Sequence, residues 1–202
     1  MHLSRLRLDP RSQEARRDLA NPYEMHRTLT RCFVNDSGAL PPRFLWRSEP
    51  VIDWHEAVIL VQSETLPSWD ALTSRDRYLR GVPESKVLIP EQQLRHATDY
   101  RFRLFGNTTV TRDGKRYGLV SEDAQLAWLA RQGEKSGFSV LAALVMSSDV
   151  LRARKENMPI SLRRACFEGR LRVTDAVLLA GAMKRGIGPA KAFGFGLLSL
   201  AP

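Results

Sequence analysis

Tyr23 and His26 stand three residues apart in the run Asn21-Pro22-Tyr23-Glu24-Met25-His26-Arg27. On a helix that spacing puts both side chains on one side. An imidazole titrates near neutral pH and can take or give a proton there. A phenol beside it can orient a nucleophile or carry the complementary proton. Arg27 and Arg31, spaced i, i+4, add two permanent cations. Side chains of these types can cut RNA without a metal. A base removes the proton of a ribose 2′-hydroxyl, and the oxygen attacks the neighbouring phosphate. The leaving 5′-oxygen is protonated, and cations hold the extra charge on phosphorus. A plainer reading also fits the two residues: a half-buried helix histidine beside a packing tyrosine.

The residues around them define the element that must position them. Asn21 suits a helix N-cap, and Pro22 suits the first helical position, where its missing N–H costs nothing. Glu24 falls where it can reach back to the cap, as in a capping box. At about 100° per residue, Met25, Leu29, Cys32 and Phe33 form one apolar stripe, the core face. Tyr23, His26 and Thr30 then lie on its shoulder, with Arg27 and Arg31 on the far side.

A second candidate is the glycine-rich stretch from Gly186 through Gly188, Lys191, Gly194 and Gly196 to Leu198. Glycines let a backbone approach a phosphate closely, and Lys191 adds a charge. A dinucleotide fingerprint does not fit, because that motif runs from strand into helix and this stretch follows a helix. A helix C-cap with a tight turn explains Gly186 but not Gly194 and Gly196. The third candidate is charge. Arg152, Arg154, Lys155, Arg163, Arg164, Arg170 and Arg172 share a short span with only Glu156 and Glu168 as acids. Arg101, Arg103, Arg112, Lys115 and Arg116 add to the excess, which favours a phosphate-binding surface over a merely solvated face.

The order of elements repeats. A strand is expected at about 3–8, helix from about 12 to 34, strands at 43–47 and 57–62, a helical piece at 69–79 and a strand at 86–89. That is β-α-β-β-α-β, the ferredoxin-like order. Residues 90–97 read as a polar linker. The second half shows a strand at 100–105 and a helix at 122–131 with apolar positions at Ala124, Leu126, Ala127 and Leu129. Strands follow at 140–145 and 160–173, the latter broken at Glu168-Gly169. A helix at 174–185 is capped by Thr174, and a strand at 193–200 closes the set. The fold class is therefore α+β, with two tandem ferredoxin-like (RRM-like) domains: residues 1–90 carry the histidine, and residues 98–202 carry the basic face and the glycine-rich loop.

The 202 residues hold 43% hydrophobic side chains, enough to build real cores, and a formal net charge of +9. Such a balance points to a nucleic acid or an acidic membrane surface. No apolar run approaches the ~20 residues a membrane span needs, and the N-terminus has no signal-peptide core, so a cytoplasmic protein is expected. Cys32 and Cys166 lie outside any zinc-ligand spacing and read as core packing. No metal or cofactor is implied. His2, His55 (following Trp54 at a turn) and His96 have no paired motif and read as surface residues.

Three stretches together resemble the CasE family, the CRISPR-associated endoribonucleases of the type I-E Cascade complex. They are Asp18 to Leu29, Phe44-Leu45-Trp46-Arg47, and Gly188 to Leu198, in order and spread over the whole chain. The resemblance implies metal-independent, sequence- and hairpin-specific cleavage of precursor CRISPR RNA within each repeat. It implies a cyclic phosphate at the cut end, a free 5′-hydroxyl, retention of the 3′ hairpin, and assembly with the other Cascade subunits. His26 takes the place of the family's catalytic histidine and Tyr23 that of its assisting tyrosine. The loop around Gly188 and Gly194 matches the loop packed close to RNA, and Arg152, Arg154 and Lys155 lie where members set basic residues against the hairpin. Arg31 stands where some relatives carry lysine; it keeps the charge near the phosphate but cannot donate a proton. Val34 offers no hydroxyl. The competing expectation is a non-catalytic RNA-binding subunit of a ribonucleoprotein, although no RNP1-like aromatic string lies on a central strand.

Overall fold

The computed structural model describes residues 1–34, 40–50, 55–156 and 158–202; Trp54 lies outside them. The first elements are β1 (His2–Leu8), α1 (Gln13–Ala20), α2 (Pro22–Thr30), β2 (Phe44–Ser48), β3 (Ala57–Ser63), α3 (Asp70–Thr73) and β4 (Glu84–Val87). The strands pair in the order β2-β3-β1-β4, every pair antiparallel. In this register Leu6 faces Ile59 and Trp46 faces Val61. Leu6, Ile59 and Val61 bury themselves under Met25, Leu29 and Cys32 of the helix layer, as the expected apolar stripe requires.

The helix expected from 12 to 34 is two helices. Asn21 between them is extended (φ −131°, ψ 102°) and turns the chain so that α2 starts afresh. The helix expected over 69–79 is reduced to the single turn α3. Beyond it the Tyr78 hydroxyl donates to the buried Asp18 carboxylate at 2.8 Å, and Leu79 bridges to Leu8 of β1. Those contacts hold the segment against the sheet and the neighbouring helix, where a helix could not continue.

Residues 90–97 are more than a linker. They contain α4 (Pro90–Gln93), whose Pro90 and the following Leu94 are buried and whose Glu91 pairs with Lys184 at 2.5 Å. Then come β5 (Asp99–Asn107), β6 (Thr109–Arg112), β7 (Lys115–Gly118), α5 (Glu122–Ser136), β8 (Phe138–Lys155), β9 (Met158–Val173), α6 (Ala176–Arg185) and β10 (Leu198–Ala201). The second sheet runs β10-β5-β9-β8. In both sheets the first strand lies between the last and the third, and the second takes the edge. These are two ferredoxin-like arrangements in tandem, and the α+β class expected from the pattern holds.

Other details depart from expectation. The β6–β7 ribbon is an addition to the expected element order; Asp113 and Gly114, both at positive φ (49° and 73°), make its turn. The inward face of α5 is Gln125, Trp128, Leu129 and Gly133, with Ala127 outside, because the Trp128 ring stacks on Phe167 at 6.0 Å and sets the helix rotation. Strand β9 is unbroken at Gly169. The glycine is needed there because a Cβ would sit 2.0 Å from the Ala142 carbonyl oxygen of the neighbouring strand. Asp175, not Thr174, caps α6, accepting from the Leu178 N–H at 2.9 Å. The final strand starts only at Leu198, because Gly194 and Gly196 adopt positive φ (85° and 86°) that no strand allows.

By contacts the chain forms two compact units. Met1–Leu88, Ala153–Met158 and Ala192–Gly194 make one; Ile89–Arg152, Pro159–Lys191 and Phe195–Pro202 make the other. Among the described residues no helix is long and apolar enough to cross a membrane.

Candidate active site

The site is built on α2 in the first unit. The Asn21 side-chain oxygen accepts from the Tyr23 N–H at 3.2 Å, and Pro22 occupies the first helical position, as expected. The capping box does not close. The Asn21 N–H is already donated to the Arg17 carbonyl at the end of α1, so Glu24 turns outward and accepts from Arg27 at 3.1 Å on both oxygens. Asn21 has a further role that its sequence neighbours do not reveal. Its amide nitrogen donates to the Arg154 carbonyl at 2.9 Å, and its oxygen accepts from the Arg154 N–H at 3.2 Å. One side chain therefore caps the helix and fastens the end of β8 that belongs to the same unit.

Tyr23 and His26 are both half-buried, on the shoulder of the core stripe. The Thr30 hydroxyl donates to the His26 carbonyl at 2.8 Å. The imidazole lies on the Phe44 ring, centroids 4.9 Å apart and planes 21° from parallel, and Phe44 in turn stacks on Phe33 at 4.7 Å and 17°. Nδ1 of His26 is buried without a hydrogen-bond partner among the described residues. Burial pushes the His26 pKa below the ordinary histidine value of 6.5, because desolvation penalises the charged form. Burial thus favours the neutral form of the His26 imidazole. Arg31, just past the end of α2, is exposed and has no acidic partner among the described residues, whereas Arg27 shares its charge with Glu24.

The glycine-rich segment meets two indole rings, one in each unit. Within the first unit, Trp46 Nε1 donates to the Ala192 carbonyl at 3.2 Å, and a Cβ on Gly194 would come 3.2 Å from the Trp46 ring. Within the second, a Cβ on Gly188 would come 2.9 Å from the ring of Trp128. Both glycines have positive φ and leave room for these rings, a packing role that nothing near them in sequence announces. Lys191 opens a short 3₁₀ turn between them.

The basic cluster divides. Arg152, Arg154 and Lys155, at the end of β8, are unpaired with acids among the described residues; Arg152, Arg154 and Lys155 all lie at the surface end of the strand. Arg164 makes a bidentate pair with Asp149 at 2.9 and 2.6 Å, which holds the Asp149 carboxyl below its usual range. Arg163 donates to Ser148 Oγ at 3.0 Å and the Val120 carbonyl at 3.4 Å, and Arg170 and Arg172 pair with Asp99. His2 is half-buried, His55 and His96 are exposed, and both cysteines are buried. Burial pushes the Cys32 thiol up to about 12, so it is inert packing.

A family model described as CRISPR associated protein matches residues 1–202. The chain is 36% identical, over 219 aligned positions covering 100% of both proteins, to the CRISPR-associated endoribonuclease Cse3 of Thermus thermophilus. This chain belongs to the CasE family. The CRISPR system Cascade subunit CasE of Escherichia coli is 31% identical over 193 residues, 89% of this chain and 92% of the relative. A solved structure of Cse3 bound to 19 nt RNA superposes with a TM-score of 0.90, at 36% identity and 100% coverage of both chains. The Escherichia coli Cas6e crystal structure superposes at 0.74 with 27% identity and 100% coverage of both. The histidine-bearing helix and the glycine-rich segment therefore sit in a chain whose family matches over its full length.

Proposed function

We infer that this chain is the endoribonuclease that processes precursor CRISPR RNA within its repeats, and a subunit of Cascade. The supporting observation is a half-buried imidazole, His26, on the first turns of a capped helix, with Tyr23 three residues before it and a guanidinium, Arg31, that has no acidic partner among the described residues at the far end. In the proposed mechanism His26 acts as general base on the ribose 2′-hydroxyl, or as acid on the leaving 5′-oxygen. Tyr23 orients the nucleophile or carries the complementary proton. Arg31, with Arg27 beside it, stabilises the charged phosphorus centre. The reaction draws on no metal: the nucleophile comes from the substrate and the charge is met by arginine.

Arg152, Arg154 and Lys155 contact RNA phosphates, and Arg163, Arg164, Lys191, Gly188 and Gly194 complete the proposed RNA-binding set. The deep, narrow major groove of A-form RNA favours recognition through shape and phosphates, so the hairpin and its flank matter more than a long read of bases. Residues 1–90 supply the chemistry and residues 98–202 the basic face. The protein works in the cytoplasm and keeps the 3′ hairpin after the cut. The test is to incubate the purified protein with a labelled repeat hairpin in EDTA and identify the product ends. A 2′,3′-cyclic phosphate and a 5′-hydroxyl are expected. Hairpin binding without cleavage would instead assign a non-catalytic RNA-holding subunit, and a 3′-hydroxyl with a 5′-phosphate would overturn the mechanism.

A further inference from the structure

The run Phe44-Leu45-Trp46-Arg47 carries part of the family resemblance, yet none of the chemistry above uses it. We propose that Phe44 is a positioning residue for RNA cleavage: its ring is the shelf that fixes the plane of the His26 imidazole. The inference rests on His26 being the proton-transfer group.

Histidine bases are commonly oriented by a hydrogen bond from the second ring nitrogen to a carboxylate or carbonyl. His26 has none, since its Nδ1 is enclosed and unpartnered among the described residues. Its main chain is held, because Thr30 bonds the His26 carbonyl at 2.8 Å, but that leaves the ring free to turn about its own torsions. The missing constraint is supplied by stacking. Phe44 is 7% exposed and lies nearly parallel to the imidazole at 4.9 Å. It is itself braced from behind by Phe33 at 4.7 Å, so the three rings form one stack. Phe44 belongs to β2, a strand buried over four of its five residues, which makes the shelf rigid. Trp46, two residues on and so on the same face of the strand, bonds the Ala192 carbonyl and packs on Gly194. One strand face thus holds both the proposed base and part of the glycine-rich loop.

Charged neighbours do not substitute for the shelf. On α2, Glu24 and Arg27 pair with each other, and Arg31 lies past its end; on β2, Arg47 pairs with Glu49. Among the described residues, burial is what lowers the imidazole's proton affinity. Removing the ring therefore admits water to one face, lets the imidazole turn, and returns its titration toward the ordinary value.

The experiment is single-turnover cleavage of a labelled repeat hairpin by the full-length protein and its Phe44→Leu, Phe44→Tyr and His26→Ala variants. Rate is read against pH, and hairpin affinity is measured separately. Phe44→Leu keeps the apolar bulk but loses the flat ring. It should slow cleavage of bound RNA on the order of 10- to 100-fold, the cost of a base about an ångström out of place. Hairpin affinity should change little, and the acid limb of the pH profile should move to higher pH. Phe44→Tyr, which keeps the ring, should recover most of the rate. The proposal is overturned if Phe44→Leu keeps the wild-type rate and pH limb while His26→Ala is inactive. It is equally overturned if Phe44→Leu and Phe44→Tyr lose rate and affinity together, the mark of a merely structural residue. Wild-type cleavage by His26→Ala would remove the catalytic assignment of His26 itself, and the shelf with it.

Discussion

The two units repeat one strand order but differ in the helix that follows the first strand. In the first unit that helix is interrupted at the extended Asn21, and the restarted α2 lifts Tyr23 and His26 to the edge of burial. In the second unit the corresponding α5 runs through Glu122–Ser136 without a break, turns Gln125, Trp128 and Leu129 inward, and carries no histidine. The hairpins joining second and third strands differ too. In the second unit's sheet β8 and β9 span 18 and 16 residues, and Arg152, Arg154 and Lys155, without acidic partners among the described residues, stand at the end of β8. In the first unit β2 and β3 have 5 and 7 residues. The same strand order thus carries the half-buried Tyr23 and His26 on one sheet's helix and a long hairpin ending in basic side chains on the other sheet. The copies share a topology and differ in where a helix breaks and how far a hairpin extends.

Substitutions in each region test the proposed separation of chemistry from binding. The largest effect should come from His26→Ala. Cleavage of bound repeat RNA should fall about 10²–10⁴-fold, the range a positioned acid or base contributes, with hairpin affinity nearly unchanged. Equal losses of rate and affinity would erase the distinction between a chemical helix and a binding arm. Replacing Arg152, Arg154 and Lys155 together by alanine should do the opposite. Affinity should fall about 10- to 100-fold at moderate salt, and the log–log salt slope should flatten by about 1 for each phosphate no longer neutralised. The cutting rate at saturating protein should stay near wild type.

A smaller effect concerns pH. The folded His26 pKa lies below 6.5, and a base acts in its neutral form, so cleavage should rise with pH along an acid limb centred below 6.5 and level off above it. A limb centred above the ordinary histidine value would mean that His26 works protonated or that another group limits the rate. The smallest effect should be that of Asn21→Ala. Losing the cap and the two bonds to Arg154 should lower stability by about 1–2 kcal/mol, read as a drop in the thermal midpoint. Asn21→Asp retains a cap acceptor but cannot donate to the Arg154 carbonyl, so it should fall between the two and separate the cap from the tether.

What is legible in the sequence depends on range. The cap at Asn21-Pro22 and the stripe through Met25, Leu29 and Cys32 depend on residues within two turns, and the structure bears both out. The alternation within β1 and at the start of β5, and the apolar runs of β2 and β3, are equally local. The Asp113-Gly114 turn is also within reach of the sequence, since Asp-Gly between strand-like residues is a strong hairpin signal. The stack of His26 on Phe44 and the tether between Asn21 and Arg154, 133 residues apart, depend on pairings that no local pattern encodes. The glycines illustrate the same limit. From their neighbours Gly188 and Gly194 suggest an approach to phosphate, whereas the rings they make room for, Trp128 and Trp46, lie 60 and 148 positions away along the chain.

The central claim is that the substrate's own 2′-hydroxyl is the nucleophile and His26 manages its proton. The most direct test pairs a labelled repeat hairpin with its 2′-deoxy counterpart at the cut site, both in EDTA with the wild-type protein. Equal binding of the two, cleavage of the ribose substrate alone, and a cyclic phosphate at the new end are expected. Cleavage of the 2′-deoxy hairpin at a comparable rate would show that the nucleophile comes from elsewhere and would contradict the account.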